Sequence, residues 1–408
     1  MSLNYSYLES EHTRDYLTVT TGEHDWTGKG TRYYSGDKRH NASLVYNDDE
    51  NQIKSIFSYT KRKTLCDKAT FSNSILGEKL TSKYSNWNMS TVTFDTQKAW
   101  DFRDGADKLI VGSTWSKEDM EDYGKEKDAN RQNYALYTSY KHLINDNFDL
   151  TVGARGQIIK DEGENQNVFT PQIQTLYRIN DTTSWYTNIG KSFQMPALNQ
   201  YFTDGRTSKL EPQEGWSYET GLKFIDGNSS LKMDIFYMDI DGKFDWVKDE
   251  NDISYLINAG KFKNNGLEVE FTRKLESNLT YRLGASLSNP RTKEDDSTEW
   301  IQSSAKVQLT AGVDYTMNKL TTSLNYLYLG DREDSYYDNN GSKATTSGGV
   351  THEVPARNLL NANFIYTADD SNSVELYLNN ILGKTDTVNK YENWGAPYNW
   401  LLTYNYKF

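Results

Sequence analysis

Period-two alternation is the property of this chain that most constrains its fold. At the C-terminus Trp400, Leu402, Tyr404, Tyr406 and Phe408 fall on one face, and Thr403, Asn405 and Lys407 on the other. Val307, Leu309, Ala311, Val313 and Tyr315 oppose Lys306, Gln308, Thr310 and Asp314. Leu231, Met233, Ile235 and Tyr237 oppose Lys232 and Asp234, and Leu267, Val269 and Phe271 oppose Glu268 and Glu270. Val374, Leu376 and Leu378 oppose Glu375 and Asn379. The pattern predicts antiparallel sheet with one apolar and one charged face. In a soluble sandwich the charged face is solvated; in a large barrel it lines a wet lumen.

The connections separate these two folds. Short turns are expected near 9–12, 47–51, 102–106, 143–146, 179–182, 226–229, 275–277, 316–319 and 367–371. Longer polar segments alternate with them, near 21–37, 60–86, 117–130, 159–167, 193–213, 289–300, 332–351 and 381–397, with 248–253 a brief member of the set. Outer-membrane barrels have tight periplasmic turns and large external loops, whereas a Greek-key sandwich has no reason to keep that asymmetry. The reading is therefore all-β, an antiparallel transmembrane β-barrel of about nineteen strands. An odd count puts residue 1 at the external surface. A single-chain bacterial barrel normally has an even count with both ends periplasmic. The chain is thus expected to lack its opening strands.

Composition agrees. The net charge of −12 argues against a nucleic-acid partner, which needs a basic surface. No apolar run is long enough for a membrane helix, but a barrel strand shows lipid only at every second residue. Thirty tyrosines and ten tryptophans suit the aromatic belts at the two lipid boundaries. A carbohydrate-binding β-protein would be aromatic-rich too. Cys66 is the single cysteine, so no intrachain disulfide forms. The opening MSLNYSYLES has no basic n-region and no apolar core, so it is not a secretory leader.

Four segments in order resemble the C-terminal barrel of TonB-dependent receptors: NIGKSFQMPALNQYF (188–202), LEPQEGWSYETGLKF (210–224), INAGKFKNNGLEVEF (257–271) and the closing stretch 374–408. The residues that carry the resemblance are Pro196, Pro212, Glu219, Gly221, Asn258, Gly266, Glu268 and Phe408. Gly221 and Gly266 are expected at close backbone approaches. Glu219, Glu268 and Glu270 are expected to face the lumen. The resemblance implies a barrel of about 22 strands closed by an N-terminal plug domain, with residues 1–408 covering barrel alone. It also implies outer-membrane lipid around the barrel, the TonB system acting through the plug, and the barrel-assembly machinery reading the strand that ends in Phe408. Two departures stand out. GAPYNW (395–400) replaces the Pro-Gly-Arg common before the last strand, and residues 1–180 match in pattern without motifs.

No enzyme is expected. His12, His24, His40, His142 and His352 are scattered, and no hydrolase, Walker or dinucleotide motif occurs. The acidic triplets Asp48–Glu50 and Glu294–Asp296 have calcium-type chemistry but read as solvated turn charge. Loops on a rigid scaffold are the expected binding surface. These present Tyr201, Phe202 and Arg206 (193–213), Tyr336 and Tyr337 (332–351), and Tyr391 and Trp394 (381–397). Aromatics with a cation grip a flat anionic chelate by stacking and cation–π contact. Some of these rings could equally belong to the outer aromatic girdle. The resemblance implies uptake of a metal chelate, a ferric siderophore above all, with no cofactor. FQMPALNQYF has no histidine, which speaks against haem. A passive porin and a surface glycan-binding β-protein are the rival readings.

Overall fold

The computed structural model describes residues 1–19, 26–71, 82–122, 127–161, 165–203, 206–207, 210–248, 254–275, 278–293, 300–330, 332–334, 352–354, 356–384 and 396–407. For 13–19, 26–33, 67–71, 82–86, 127, 201–203, 206–207, 245–248, 254–255, 259, 332–334 and 352–354 it describes the backbone path alone.

The first nine strands are β1 (Ser2–Val19), β2 (Trp26–Asp48), β3 (Ile53–Phe71), β4 (Ser82–Phe102), β5 (Asp107–Asp122), β6 (Lys127–Asn145), β7 (Phe148–Lys160), β8 (Gln166–Arg178) and β9 (Thr183–Gln194). A miniature hairpin follows, β10 (Phe202–Thr203) with β11 (Arg206–Thr207). Then come β12 (Gln213–Ile225), β13 (Ser229–Lys248), β14 (Ser254–Leu275), β15 (Leu279–Ser288), β16 (Arg291–Lys293), β17 (Ile301–Gln302), β18 (Val307–Met317) and β19 (Leu320–Leu329). A second small pair is β20 (Arg332–Asp334) with β21 (His352–Val354). The chain closes with β22 (Arg357–Thr367), β23 (Asn372–Asn379) and β24 (Asn399–Tyr406).

Twenty of these strands form one sheet in which each pairs antiparallel with its sequence neighbours. β15 and β16 both pair with β14 and run as one stave, as do β17 and β18 on the next position. With those two pairs merged, twenty strands make eighteen staves. Among the described residues β1 pairs only with β2 and β24 only with β23, so the sheet has two edges.

The turn expected at 9–12 is absent. Residues 2–19 are one strand, with Ser10 opposite Asp37 and Glu11 opposite Gly36. The cause is that ESEHT (9–13) lies beyond the apolar band. There both faces are polar, and the ladder with β2 rather than side-chain alternation holds the strand. This corrects the placement of residue 1. Ser2 stands opposite Val45, close to the short turn after β2, so β1 begins at the short-turn end. The odd count and external start both fall, and parity carries no argument about strands outside this sequence. The segments expected as loops at 21–37 and 60–86 are likewise mostly strand, with β2 starting at Trp26 and β3 reaching Phe71.

The asymmetry of the connections is plain. At one end the staves join through 49–52, 103–106, 146–147, 179–182, 226–228, 276–278, 318–319 and 368–371. Asx side chains close five of these turns on the backbone N–H groups that the ladder leaves over. Asp48 accepts from Asn51 N at 3.0 Å, Asn145 from Asn147 N at 3.0 Å and Asn180 from Thr183 N at 2.9 Å. Asp226 accepts from Ser229 N at 2.6 Å and Asp369 from Ser371 N at 2.9 Å. Asp48, part of an acidic triplet, is thus a turn-former.

The two faces differ as a membrane requires. One carries Leu136 (70% exposed), Phe169 (58%) and Ile235 (58%), with Leu222, Met233, Leu283, Leu309 and Leu324. Trp100, Tyr140, Tyr177, Trp185, Tyr315 and Tyr366 stand on it toward the short turns, and Trp115, Tyr134, Trp216, Tyr218 and Tyr237 toward the long connections. So many apolar side chains left open is the pattern of a lipid-facing surface and not of a water-soluble one. The other face is polar, and the sheet curls toward it. Met120 on β5 and Leu256 on β14 lie seven strand spacings apart, about 34 Å on a flat sheet. Yet both belong to one buried cluster with Leu198 and Leu210. Only a sheet wrapped around its polar face brings them together, and that face is the lumen.

Candidate functional site

The segment between β9 and β12 is folded into the mouth of the lumen. It leaves β9 through Pro196, makes a 3-10 turn over Leu198–Tyr201, forms the β10–β11 hairpin and rejoins the wall through Leu210 and Pro212. Its path is set by local chemistry first. Ala197 N donates to Gln200 Oε1 at 2.7 Å, and Gln200 N to Ala197 O at 2.8 Å. Pro196 and Pro212 lie where no ladder N–H is needed.

Packing then fixes it. Leu198 and Leu210 are almost fully buried against Met120, Ala129 and Leu256, with Met89 and Phe244 beside them. These residues come from β4, β5, β6, β13 and β14. This apolar seat on a largely polar wall holds the segment across the opening. Two pins lock its ends. Arg131 donates to Pro196 O at 2.6 Å and to Asp161 at 3.2 Å, and lies 3.6 Å from Glu118. Its side chain is 7% exposed and that of Asp161 1%, so the pair is buried and charge-compensated. At the other end Asn258 donates to Glu211 O (2.7 Å) and Gly242 O (2.9 Å) and accepts from Glu211 N (2.8 Å). Asn380 does the same work for the last long connection. It donates to Lys384 O and Ala396 O, both at 2.8 Å, and is itself 1% exposed.

Below the mouth the wall is lined by self-neutralising polar clusters. Asp95 accepts from Thr114 (2.7 Å) and Tyr137 (3.1 Å), and the Arg155 guanidinium lies 5.5 Å from the Tyr137 ring and 3.2 Å from Thr114. Glu219 accepts from Tyr186 at 2.6 Å and faces Lys232 at 3.4 Å, which also meets buried Asp234 at 3.1 Å. Glu268 stands on the same face, taking Ser286 Oγ at 3.3 Å, and Glu270 lies opposite Lys232. The glycines make room for these groups. A Cβ on Gly221 would come within 2.5 Å of Met233 O and 2.7 Å of Asp234 Cβ. One on Gly266 would come within 2.5 Å of Leu287 O.

The loop residues singled out in the sequence separate into two groups. Phe202 and Arg206 lie on the miniature hairpin and Tyr201 ends the 3-10 turn before it, so all three ride on the segment that spans the mouth. Tyr336, Tyr337, Tyr391, Trp394 and Phe408 lie outside the described residues. The sequence reading assigned no role to Arg131, Asp161 or Leu256, and gave Leu198, Leu210 and Asn380 only as members of the segments 188–202, 210–224 and 374–408. Arg131 and Asp161 were visible only as charges in a polar stretch, and the leucines as isolated apolar residues without period.

Comparison with known proteins gives this geometry a context. A family model described as "TonB dependent receptor-like, beta-barrel" matches residues 2–381. The chain is 26% identical over 163 residues to the ferripyoverdine receptor of Pseudomonas aeruginosa, covering 36% of this chain and 20% of that protein. It is 26% identical over 118 residues to the metal-pseudopaline receptor CntO of Pseudomonas aeruginosa, covering 28% and 16%. The aligned stretches thus span about a fifth or less of those relatives. Among solved structures, the FrpB iron transporter from Neisseria meningitidis (F5-1 variant) superposes with a TM-score of 0.77 at 14% identity, covering all of this chain and 70% of that one. The pyoverdine receptor FpvA from Pseudomonas aeruginosa PAO1, bound to pyoverdine, gives 0.71 at 17% identity, with 93% and 62% covered. At such identities the structures speak to the fold, and the family model to membership. With its lipid-facing sheet, its polar lumen and a family match over nearly its whole length, the chain belongs to the TonB dependent receptor-like β-barrel family of the outer membrane.

Proposed function

We propose that this chain forms the wall and mouth of an outer-membrane receptor that takes up a metal chelate, and that the chelate is a ferric siderophore. The observation that carries this reading is the segment 195–212, seated across the lumen opening by Leu198 and Leu210 and pinned by Arg131 and Asn258. It holds an aromatic and a guanidinium residue, Phe202 and Arg206, at the hairpin over the opening. An aromatic ring and a cation on one short hairpin suit a flat, anionic complex. The names of the relatives, receptors for ferric pyoverdine and for metal-pseudopaline, support the same substrate class. In this reading Tyr201, Tyr336, Tyr337, Tyr391 and Trp394 complete the vestibule. A plug domain fills the lumen against the polar wall, and the TonB system drives its rearrangement. The barrel-assembly machinery inserts the protein through its last strand.

The test is binding of iron-loaded pyoverdine, and of iron-loaded catecholate and hydroxamate siderophores, to outer-membrane vesicles carrying the receptor. One of them should bind saturably, and Phe202→Ala or Arg206→Ala should weaken it about tenfold, about 1.4 kcal/mol. No saturable binding across the panel, together with a large steady conductance in planar bilayers, would replace the receptor reading with a passive channel.

A further inference from the structure

Below the base of the mouth segment the polar wall is hollowed. Ser139, Gly153, Gln172, Gly190 and Ser217 stand in one register row across β6, β7, β8, β9 and β12. In the next row toward the mouth Tyr137 stands opposite Arg155, and Arg155 opposite Thr170. Gln172 lies over Gly153, where an added Cβ would come within 2.7 Å of its Nε2, and Gly190 is left bare. A Cβ there would meet nothing nearer than 3.7 Å. With Ser192 and Ser217 beside it, this gap opens a cavity of about 430 Å³ bounded by Tyr137, Arg155 and Thr170. Ser192 precedes Pro196 by four residues and Ser217 follows Pro212 by five, so the cavity sits on the two staves from which 195–212 springs.

Arg155 has binding capacity to spare. Its Nε donates to Gln157 Oε1 and its Nη1 to Thr114 Oγ1, both at 3.2 Å, and its flat face lies 5.5 Å from the Tyr137 ring. Arg62, Arg131, Arg178 and Arg282 each meet a carboxylate, Asp37, Asp161, Asp149 and Asp314 in turn. Arg155 meets none among the described residues. Asp95 takes its hydrogen bonds from the hydroxyls of Thr114 (2.7 Å) and Tyr137 (3.1 Å), one group further off. Thr114 therefore turns its proton to Asp95 and a lone pair to Arg155, which leaves Nη2 without an acceptor among the described residues. Gln157 is 6% exposed, and its Nε2 also has no hydrogen-bond partner among them. Buried donors are ordinarily satisfied, and here two unsatisfied ones lie side by side.

We propose that this cavity is a transit site, where Arg155 binds a carboxylate of the ferric chelate after it has passed the mouth. The open edge of the guanidinium takes the two carboxylate oxygens as a forked pair. The gap at Gly190 receives the carbon chain behind them, beside the Ser192 and Ser217 hydroxyls. Tyr137 and Arg155 repeat, below the mouth, the ring and guanidinium that Phe202 and Arg206 supply above it. One chemistry thus serves two successive stations on one route. The inference rests on the receptor reading, which is tested by binding, whereas the transit site is tested by transport at unchanged binding.

The test uses the complete receptor in intact cells, with iron-loaded pyoverdine first and then the iron-loaded catecholate and hydroxamate siderophores. Arg155→Gln should leave saturable binding to de-energised cells unchanged and slow energised uptake about tenfold, the loss of one charge-assisted contact. Arg155→Lys, which keeps the charge and loses the fork, should fall between. Ser192→Phe should slow uptake by filling the gap, again at unchanged binding. If that variant fails to assemble, the two Arg155 variants decide, since a half-buried side chain on a wet wall tolerates both. Unchanged uptake in Arg155→Gln overturns the proposal. Binding and uptake weakened together would place Arg155 in the first binding site and overturn it as well. So would a rise in vancomycin entry into de-energised cells of that variant, which would put a carboxylate of the plug on Arg155. No saturable binding of any of these siderophores by the unchanged receptor would remove the receptor reading itself, and the transit site with it.

Discussion

At the scale of single residues, the mouth depends on a few side chains whose importance comes from where the fold puts them. Removing the Arg131 guanidinium with Arg131→Met takes from the buried Asp161 carboxylate the cation 3.2 Å away, a change that typically costs about 3–5 kcal/mol. Leu198→Ala empties part of the seat and is expected to cost about 2–5 kcal/mol. Because Leu198 and the Arg131–Pro196 bond join the segment to the wall, while Arg131 meets Asp161 and Glu118 within the wall, both variants are expected to open 195–212, and Arg131→Met to weaken the wall between β5 and β7 as well. Faster hydrogen exchange and protease cleavage within 195–212, at unchanged heat-modifiable migration, is the expected result. Barrel loss with no local opening, in Leu198→Ala above all, would mean that these side chains serve the wall alone. The glycines give a second prediction. Gly221→Ala must displace backbone at Met233 and should lower the unfolding midpoint, whereas Gly156→Ala meets open space and should leave it unchanged. Thermal melts of the two variants in detergent decide this. Gly221 could be read from the sequence as a glycine inside a strand; Arg131 could not, because its partners Asp161 and Pro196 lie 30 and 65 residues away.

At the scale of elements, the short turns carry their own titration. Backbone N–H groups of Asn228 and Ser229 hold the Asp226 carboxyl below the usual aspartate range. The Asn372 side chain and Ser371 N–H do the same for Asp369. A carboxyl depressed in the folded state stabilises it above the unfolded value, near pH 3.9, and loses that contribution as pH falls through the folded value. The amides of Asn228 and Ser229 should therefore lose hydrogen-exchange protection below about pH 4. Asp226→Asn, which keeps the acceptor oxygen without the titration, should flatten the profile; an unchanged acid dependence in that variant would sink this account. These turns were legible as Asx and Gly clusters between apolar runs. The false turn at 9–12 shows the limit of that reading: outside the apolar band polar residues face both sides, and a strand there looks like a loop.

At the scale of the whole molecule, the two faces of the sheet answer to different solvents. Ile235→Arg on the outward face should destabilise the inserted barrel by about 2–4 kcal/mol if it lies near the bilayer centre. Ser286→Arg on the lumen face, beside Glu268, should cost far less. Unfolding of both variants from the same phospholipid bilayer makes the comparison, and equal costs would mean that the outward face is not in lipid. The same two-solvent logic explains why the apolar cluster of Leu198, Leu210, Met120 and Leu256 is small: inside a wet lumen it serves one segment only.

What the sequence by itself determined is everything carried by neighbours at i and i+2 and by the length of connections. That covers the period-two faces, the short and long ends, the Asx turns, the aromatic belts and the family segments from 188 onward. Each is written within one strand or one turn, so no knowledge of the rest is needed. Only the tertiary structure decided how far the strands run past their apolar stretches, because there the ladder with a neighbour replaces the pattern as the cause. It alone decided that Met120 and Leu256 share a seat for Leu198, because seven strand spacings close into contact only when the sheet curls around its polar face.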